Sequence, residues 1–156
     1  MATTSQQTTV VFPSLEWFKA LRDAMNRQRD KYRRAGWMDM ALAVRILPDG
    51  AVKQEHVYGI VFDADECVEV RPLKSPKDIG AECAVEGPYS AWKEMIENIQ
   101  AHGGADRRHT INSLTVLKKP LWITGDDQVG MDKLFRFNYS LQMFFDEAAS
   151  FKTRFL

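Results

Sequence analysis

Three histidines, two cysteines and two small groups of acids are the side chains of this chain whose types could support chemistry. None of His56, His102 and His109 has a partner four residues away with which to grip a metal from one helix face. Asp63, Asp65 and Glu66, and separately Asp126, Asp127 and Asp132, could offer oxygens to a hard cation, yet neither set matches a calcium loop. Local hydrogen bonding favours Asp in hairpin turns and ahead of helices, so the first set reads as turn chemistry and the second as helix capping. Cys67 and Cys83 lack CxxC spacing and any basic or His neighbour that would depress a thiol pKa; they read as buried reduced thiols rather than nucleophiles. The glycine-rich phosphate cradle, the GxSxG elbow and the HExxH zinc motif are missing from the sequence. An acid or base working inside an apolar cavity (Asp39, His56, Tyr58 or Asp126) would need a paired group, and the sequence supplies none. No catalytic residue, metal or cofactor is expected.

The elements that would position any such residues come from an ordinary globular composition. The 156 residues are 45% hydrophobic and balance 21 Lys+Arg against 21 Asp+Glu, the size and apolar content of one domain with a real core. Zero net charge provides no field to draw nucleic acid or an acidic membrane, so no nucleic-acid partner is expected. The longest apolar stretches fall short of the roughly 20 residues a spanning helix needs. The polar start, Met1 to Thr9, lacks a signal-peptide core, and the terminal Thr-Arg-Phe-Leu is neither a prenylation box nor a peroxisomal tripeptide. These features predict a cytoplasmic protein without integral membrane association.

Residues 1–12 are predicted as a disordered leader and residues 13–156 as a single layered domain. Ser14 can cap a helix whose Trp17, Phe18, Leu21, Ala24 and Met25 share one stripe. Its basic second half, Arg27 to Arg34, reads as a solvated helix end that Gly36 stops. The period then becomes two. Met38 to Ile46, His56 to Phe62 and Cys67 to Arg71 form an antiparallel meander, with His56 to Phe62 central because both its faces are apolar. Ala81 to Glu86 predicts a fourth strand that Gly87-Pro88 ends. A helix follows over Tyr89 to Ala101, with a short helix over Asp106 to Asn112 and a fifth strand over Pro120 to Thr124. A helix from about Gly130 to Ala149 closes the chain, with apolar residues covering more than a narrow stripe.

The positive signal is apolar: seven Met, nine Phe and four Trp, residue types that fill a core and equally line a pocket adapting to an apolar ligand. The ordered combination of pieces resembles the sterol carrier protein type-two family of lipid-binding domains. It comprises an opening helix with Glu16-Trp17-Phe18 and Leu21, a meander ending in Val68-Glu69-Val70, and the run Gly87-Pro88-Tyr89-Ser90-Ala91-Trp92. A short strand closing on Ile123-Thr124-Gly125-Asp126 and an apolar C-terminal helix complete it. The chain departs from the family at Leu117-Lys118-Lys119-Pro120, where a glycine is usual before the last strand, and over Gly103 to Val116.

The resemblance implies an α+β fold: a five-stranded mixed twisted sheet covered by helices, with an apolar tunnel that holds a sterol, fatty acid, acyl-CoA or steroid-like molecule and performs no covalent chemistry. On this reading the ligand-binding residues are Trp92, Met95 and Ile99 of the middle helix and Met131, Phe135, Leu141 and Phe144 of the last. The inward strand residues Met40, Leu42 and Tyr58 join them, with Val44 and Ile60 beside. The alternative is an interaction subunit that docks on an enzyme of lipid, steroid or aromatic-compound metabolism, or pairs as a homodimer, through exposed parts of the last helix.

Overall fold

In the computed structural model, which describes residues 8–125 and 127–156, strand β1 (Thr9–Phe12) forms inside the segment expected to be a disordered leader. It pairs in parallel with Lys152–Phe155, and Phe12 is fully buried against Trp17 with ring centroids 4.8 Å apart. This correction has a simple cause: the partner strand lies at the other end of the chain, beyond the reach of any local pattern. Helix α1 (Leu15–Asn26) follows, with the Ser14 hydroxyl accepting from the Trp17 backbone N–H, and it buries the predicted stripe. It stops before the basic stretch, which belongs to a separate helix α2 (Arg29–Ala35) ended at Gly36, where φ is 113°.

Strands β2 (Met40–Leu47), β3 (His56–Asp63) and β4 (Glu66–Pro72) form the predicted antiparallel meander, with Leu42 opposite Ile60 and Ile60 opposite Val70. A 3-10 turn at Pro76–Ile79 leads to β5 (Cys83–Pro88), which retains Gly87 and Pro88 and lies parallel beside β2 with Cys83 opposite Leu42. Helix α3 (Tyr89–His102) matches its expectation. The expected helix over Asp106 to Asn112 is displaced to α4 (Ile111–Thr115), because the Asp106 carboxylate accepts from the Arg108 and His109 backbone N–H groups and closes a turn instead.

Strand β6 (Trp122–Thr124) pairs antiparallel with β5. The single last helix proves to be α5 (Gln128–Arg136), α6 (Asn138–Asp146) and a 3-10 turn over Glu147–Ser150, followed by β7 (Lys152–Phe155). Asp127 caps α5 as predicted, accepting from Gly130 N–H. Asp126, offered as a cap and as a candidate acid, lies outside the described residues.

The main sheet has the order β4-β3-β2-β5-β6 and is mixed, so β2 holds the middle and β3 sits between it and β4. Alternate residues of β2 and β3 face the helices: Tyr58 meets Phe18 at 4.7 Å, and Phe62 meets Phe144 at 4.9 Å between centroids. On the opposite face the loop before β5 lies close, since a Cβ at Gly59 would stand 2.5 Å from Ile79 Cδ1. Gly130 allows an even tighter approach, bringing the α5 backbone onto the Glu82 carbonyl where any side chain would collide.

Two buried acids hold the helices. Asp65, 4% exposed, accepts from Arg29 Nη2 at 3.0 Å and Arg33 Nη2 at 2.9 Å. It is therefore more than turn chemistry, and those arginines are not simply a solvated helix end. Glu147, buried at the end of α6, accepts from the Tyr32 hydroxyl at 2.9 Å, Lys31 Nζ at 2.8 Å and Gln28 Nε2 at 2.8 Å.

Candidate functional site

The α3 stripe carries Trp92, Met95 and Ile99 inward, α6 carries Leu141 and Phe144, and the facing strands add Met40, Leu42 and Tyr58. All eight belong to one hydrophobic cluster between sheet and helices. Two of the ten expected ligand-binding residues stand apart. Met131 is half-buried, and Phe135 is 49% exposed because α5 turns only Gly130 and Leu134 fully inward. The helix breaks at Phe137, so the apolar stripe read over Gly130 to Ala149 does not continue along one straight face.

The inner layer is closed. Trp92, Met95, Ile99, Leu141 and Phe144 have no accessible surface, which leaves no water-sized space touching them and is the packing expected of a filled interior. Solvent approaches this layer at a cleft of about 200 Å³, with Ser75, Lys77, Ala81, Ala84, Thr124 and Gly125 around Cys83. Cys83 is the residue of the cleft that belongs to the core cluster. Ala84 beside it alternates to the sheet face opposite the helices, where the loop before β5 lies. Met131 touches the cleft's rim at Gly125, its Cγ 2.9 Å from where a Gly125 Cβ would stand. Its lining comes from the loop before β5, from β5 and from the end of β6, which only the crossover of β5 to β2 brings together. No spacing in the sequence marks it.

Burial governs the titratable groups that share this layer, Cys67, Cys83 and Tyr58. Burial pushes the Cys67 and Cys83 thiols up to about 12, which makes them poor nucleophiles at neutral pH. Asp39 is exposed, away from the buried layer. His56 and Tyr58 are brought together, with Nδ1 and the phenolic oxygen 3.0 Å apart. Burial pushes that phenol up to about 12 and the His56 imidazole below its ordinary value. Among the described residues, no three His, Cys, Asp or Glu side chains form a group able to hold a metal ion.

His109 sits outside the core, with Nδ1 2.7 Å from Asp106 Oδ1 and Nε2 3.3 Å from Glu94 Oε1. The hydrogen bond to Asp106 raises the His109 pKa and, in return, holds the Asp106 carboxyl well below the usual range. A raised His stabilises the fold below its unfolded value of about 6.5 and loses that contribution as pH climbs through the folded value. A depressed Asp contributes above about 3.9 and loses its contribution as pH falls. The pair is therefore fully stabilising between about pH 4 and 6.5. His56, depressed by burial, has the opposite sign: its contribution is present above about 6.5 and fades as pH falls through its folded value. NMR titration of the imidazole carbons is expected to give a midpoint above 6.5 for His109 and below it for His56; the reverse order would show that these contacts do not govern the two side chains.

Trp92 has one further property. Its indole N–H is buried without a hydrogen-bond acceptor.

No protein-family model matches the sequence, and no curated protein matches it significantly. Solved structures do match. A conserved hypothetical protein of Thermus thermophilus, described as a candidate sterol carrier protein, superposes with a TM-score of 0.66 at 16% identity, covering 94% of this chain and 96% of that one. A crystal structure of sterol carrier protein 2 gives the same TM-score and identity over 87% of this chain and 95% of its own. The five-stranded mixed sheet, the helical layer on it and this near-full-length correspondence show that the chain has the sterol carrier protein 2 fold.

Proposed function

We propose that the chain from β1 onward acts as a single non-catalytic carrier domain in the cytoplasm, which binds an apolar small molecule between sheet and helices and transfers or sequesters it. The ligand belongs to the sterols, fatty acids, acyl-CoAs or steroid-like compounds. The observation that carries this reading is the near-full-length likeness to sterol carrier protein structures. The apolar inner layer supports it, since burying a ligand there yields roughly 25 cal/mol per Å² without any catalytic group. Because the layer is closed, uptake requires α5 and α6 to part from the sheet.

Native mass spectrometry of purified protein, followed by organic extraction, is expected to release a bound lipid at defined stoichiometry. Adding ligand at a hundredfold excess over Kd stabilises a protein by about 2.7 kcal/mol, which for a chain of this length raises Tm by about 5–10 °C. An unchanged mass and an unchanged Tm across sterol, fatty acid, acyl-CoA and steroid panels would overturn the carrier.

The second reading, a subunit docking on a metabolic enzyme or on a second copy, is favoured by exposed aromatic side chains. Trp37 is 69% and Tyr139 70% exposed, and the Ser140 hydroxyl bonded to the Gly36 carbonyl brings their segments together. If this reading holds, Tyr139→Glu abolishes a stable complex while leaving lipid binding intact.

A further inference from the structure

Trp92 carries a polar group that the closed core does not use. Its side chain is fully buried, with Phe145 at 6.0 Å between ring centroids. The indole N–H has no acceptor. Two other indoles of the chain are satisfied: Trp17 donates to Thr153 Oγ1 at 3.0 Å, and Trp122 donates to Glu86 Oε2 at 2.8 Å. Trp37 reaches solvent. Among the described residues, Asn138 Oδ1 is the other buried side-chain atom left without a partner.

A buried donor without a partner is costly, and native proteins satisfy most of them with protein or water. Water is not the answer at Trp92, because the side chain has no accessible surface. A phenylalanine would fill much of the same space without the penalty. The N–H therefore has a use only when something else enters the layer.

We infer that Trp92 Nε1–H is the polar anchor of the bound ligand, and that the ligand is an apolar skeleton bearing an uncharged oxygen, a hydroxyl or a ketone, which accepts this hydrogen bond. The inference rests on the carrier reading. An uncharged oxygen is specified because Trp92 is fully buried in the apolar cluster, with Phe145 beside its ring, and a site without water disfavours a charged group. A carboxylate placed there would have to give up its hydration at a large cost. An acid ligand would have to leave its carboxylate at the surface and would gain nothing from Trp92.

The test compares matched ligands that differ by one oxygen: cholesterol against 5-cholestene, and 1-hexadecanol against hexadecane, each delivered from phosphatidylcholine vesicles. The wild-type protein is expected to bind each alcohol about tenfold more tightly than its hydrocarbon. Trp92→Phe, which keeps an aromatic ring and removes the N–H, should erase that tenfold preference and leave hydrocarbon binding in place. In the wild-type protein, the Trp92 indole ¹H–¹⁵N signal should move downfield with 1-hexadecanol and not with hexadecane, a readout that needs no variant to fold. Equal binding of alcohol and hydrocarbon, or an indole signal indifferent to the oxygen, overturns the anchor while the carrier stands. No binding of any of the four overturns the anchor, and the carrier reading falls with it when the fatty acid, acyl-CoA and steroid panels also fail to bind.

Discussion

Trp17→Ala is expected to remove about 3–5 kcal/mol of stability, the cost of a large aromatic deleted from a core that cannot collapse around the gap. Trp17 has no accessible surface. Its ring is wedged among Phe12 at 4.8 Å, Phe18 at 5.1 Å and Phe151 at 5.9 Å between centroids. Its N–H reaches Thr153, so the truncation also weakens the tie between α1 and the β1–β7 pair. Against a total stability of about 5–15 kcal/mol this is a large fraction. Urea denaturation would show it as a lower midpoint with an unchanged slope. Phe135→Ala serves as the comparison: half exposed on α5, it should change stability by less than about 1 kcal/mol. If both variants lose the same amount, the packing described around Trp17 is wrong.

Glu147→Ala should cost about 2 kcal/mol, by leaving its hydrogen-bond donors, above all the buried Tyr32 hydroxyl, without their acceptor. Lys31 is half exposed and Gln28 exposed, so both can turn to water and most of the loss falls on the buried Tyr32 hydroxyl. Tyr32→Phe removes one of those donors and should cost about 1–2 kcal/mol alone. The double variant should then lose less than the sum of the two, because the contact can be broken only once; strict additivity would mean that Glu147 and Tyr32 do not act on each other. This cluster fastens α2 to the end of α6, the helix that parts from the sheet in the proposed uptake. Glu147→Ala is therefore also expected to speed ligand exchange, measured as faster release of a fluorescent fatty acid.

Much of the scaffold was legible in local pattern. Alternation at Met40, Leu42, Val44 and Ile46 and the spacing of Trp17, Phe18 and Leu21 report which face of each element is apolar, and burial of apolar surface is what selects those conformations. Ser14 and Asp127 declared their helix starts for the same local reason, a side-chain oxygen that accepts an otherwise unpaired N–H. The inward residues of the candidate site were legible too, since Trp92, Met95 and Ile99 lie on one helical stripe. The break at Phe137 was not, because apolar residues on both sides of it blur the phase.

The elements, the side that most of them bury and the likeness to sterol carrier proteins could all be read from the chain, because each depends on residues within a few positions of one another. Folding added that β1 pairs with β7, that Asp65 and Glu147 are buried anchors, that the inner layer is shut, and that one indole N–H within it lacks a partner. Each of these depends on which distant segments meet. A side chain's burial and its hydrogen-bond partners are properties of that meeting, whereas periodicity records only that one face is apolar.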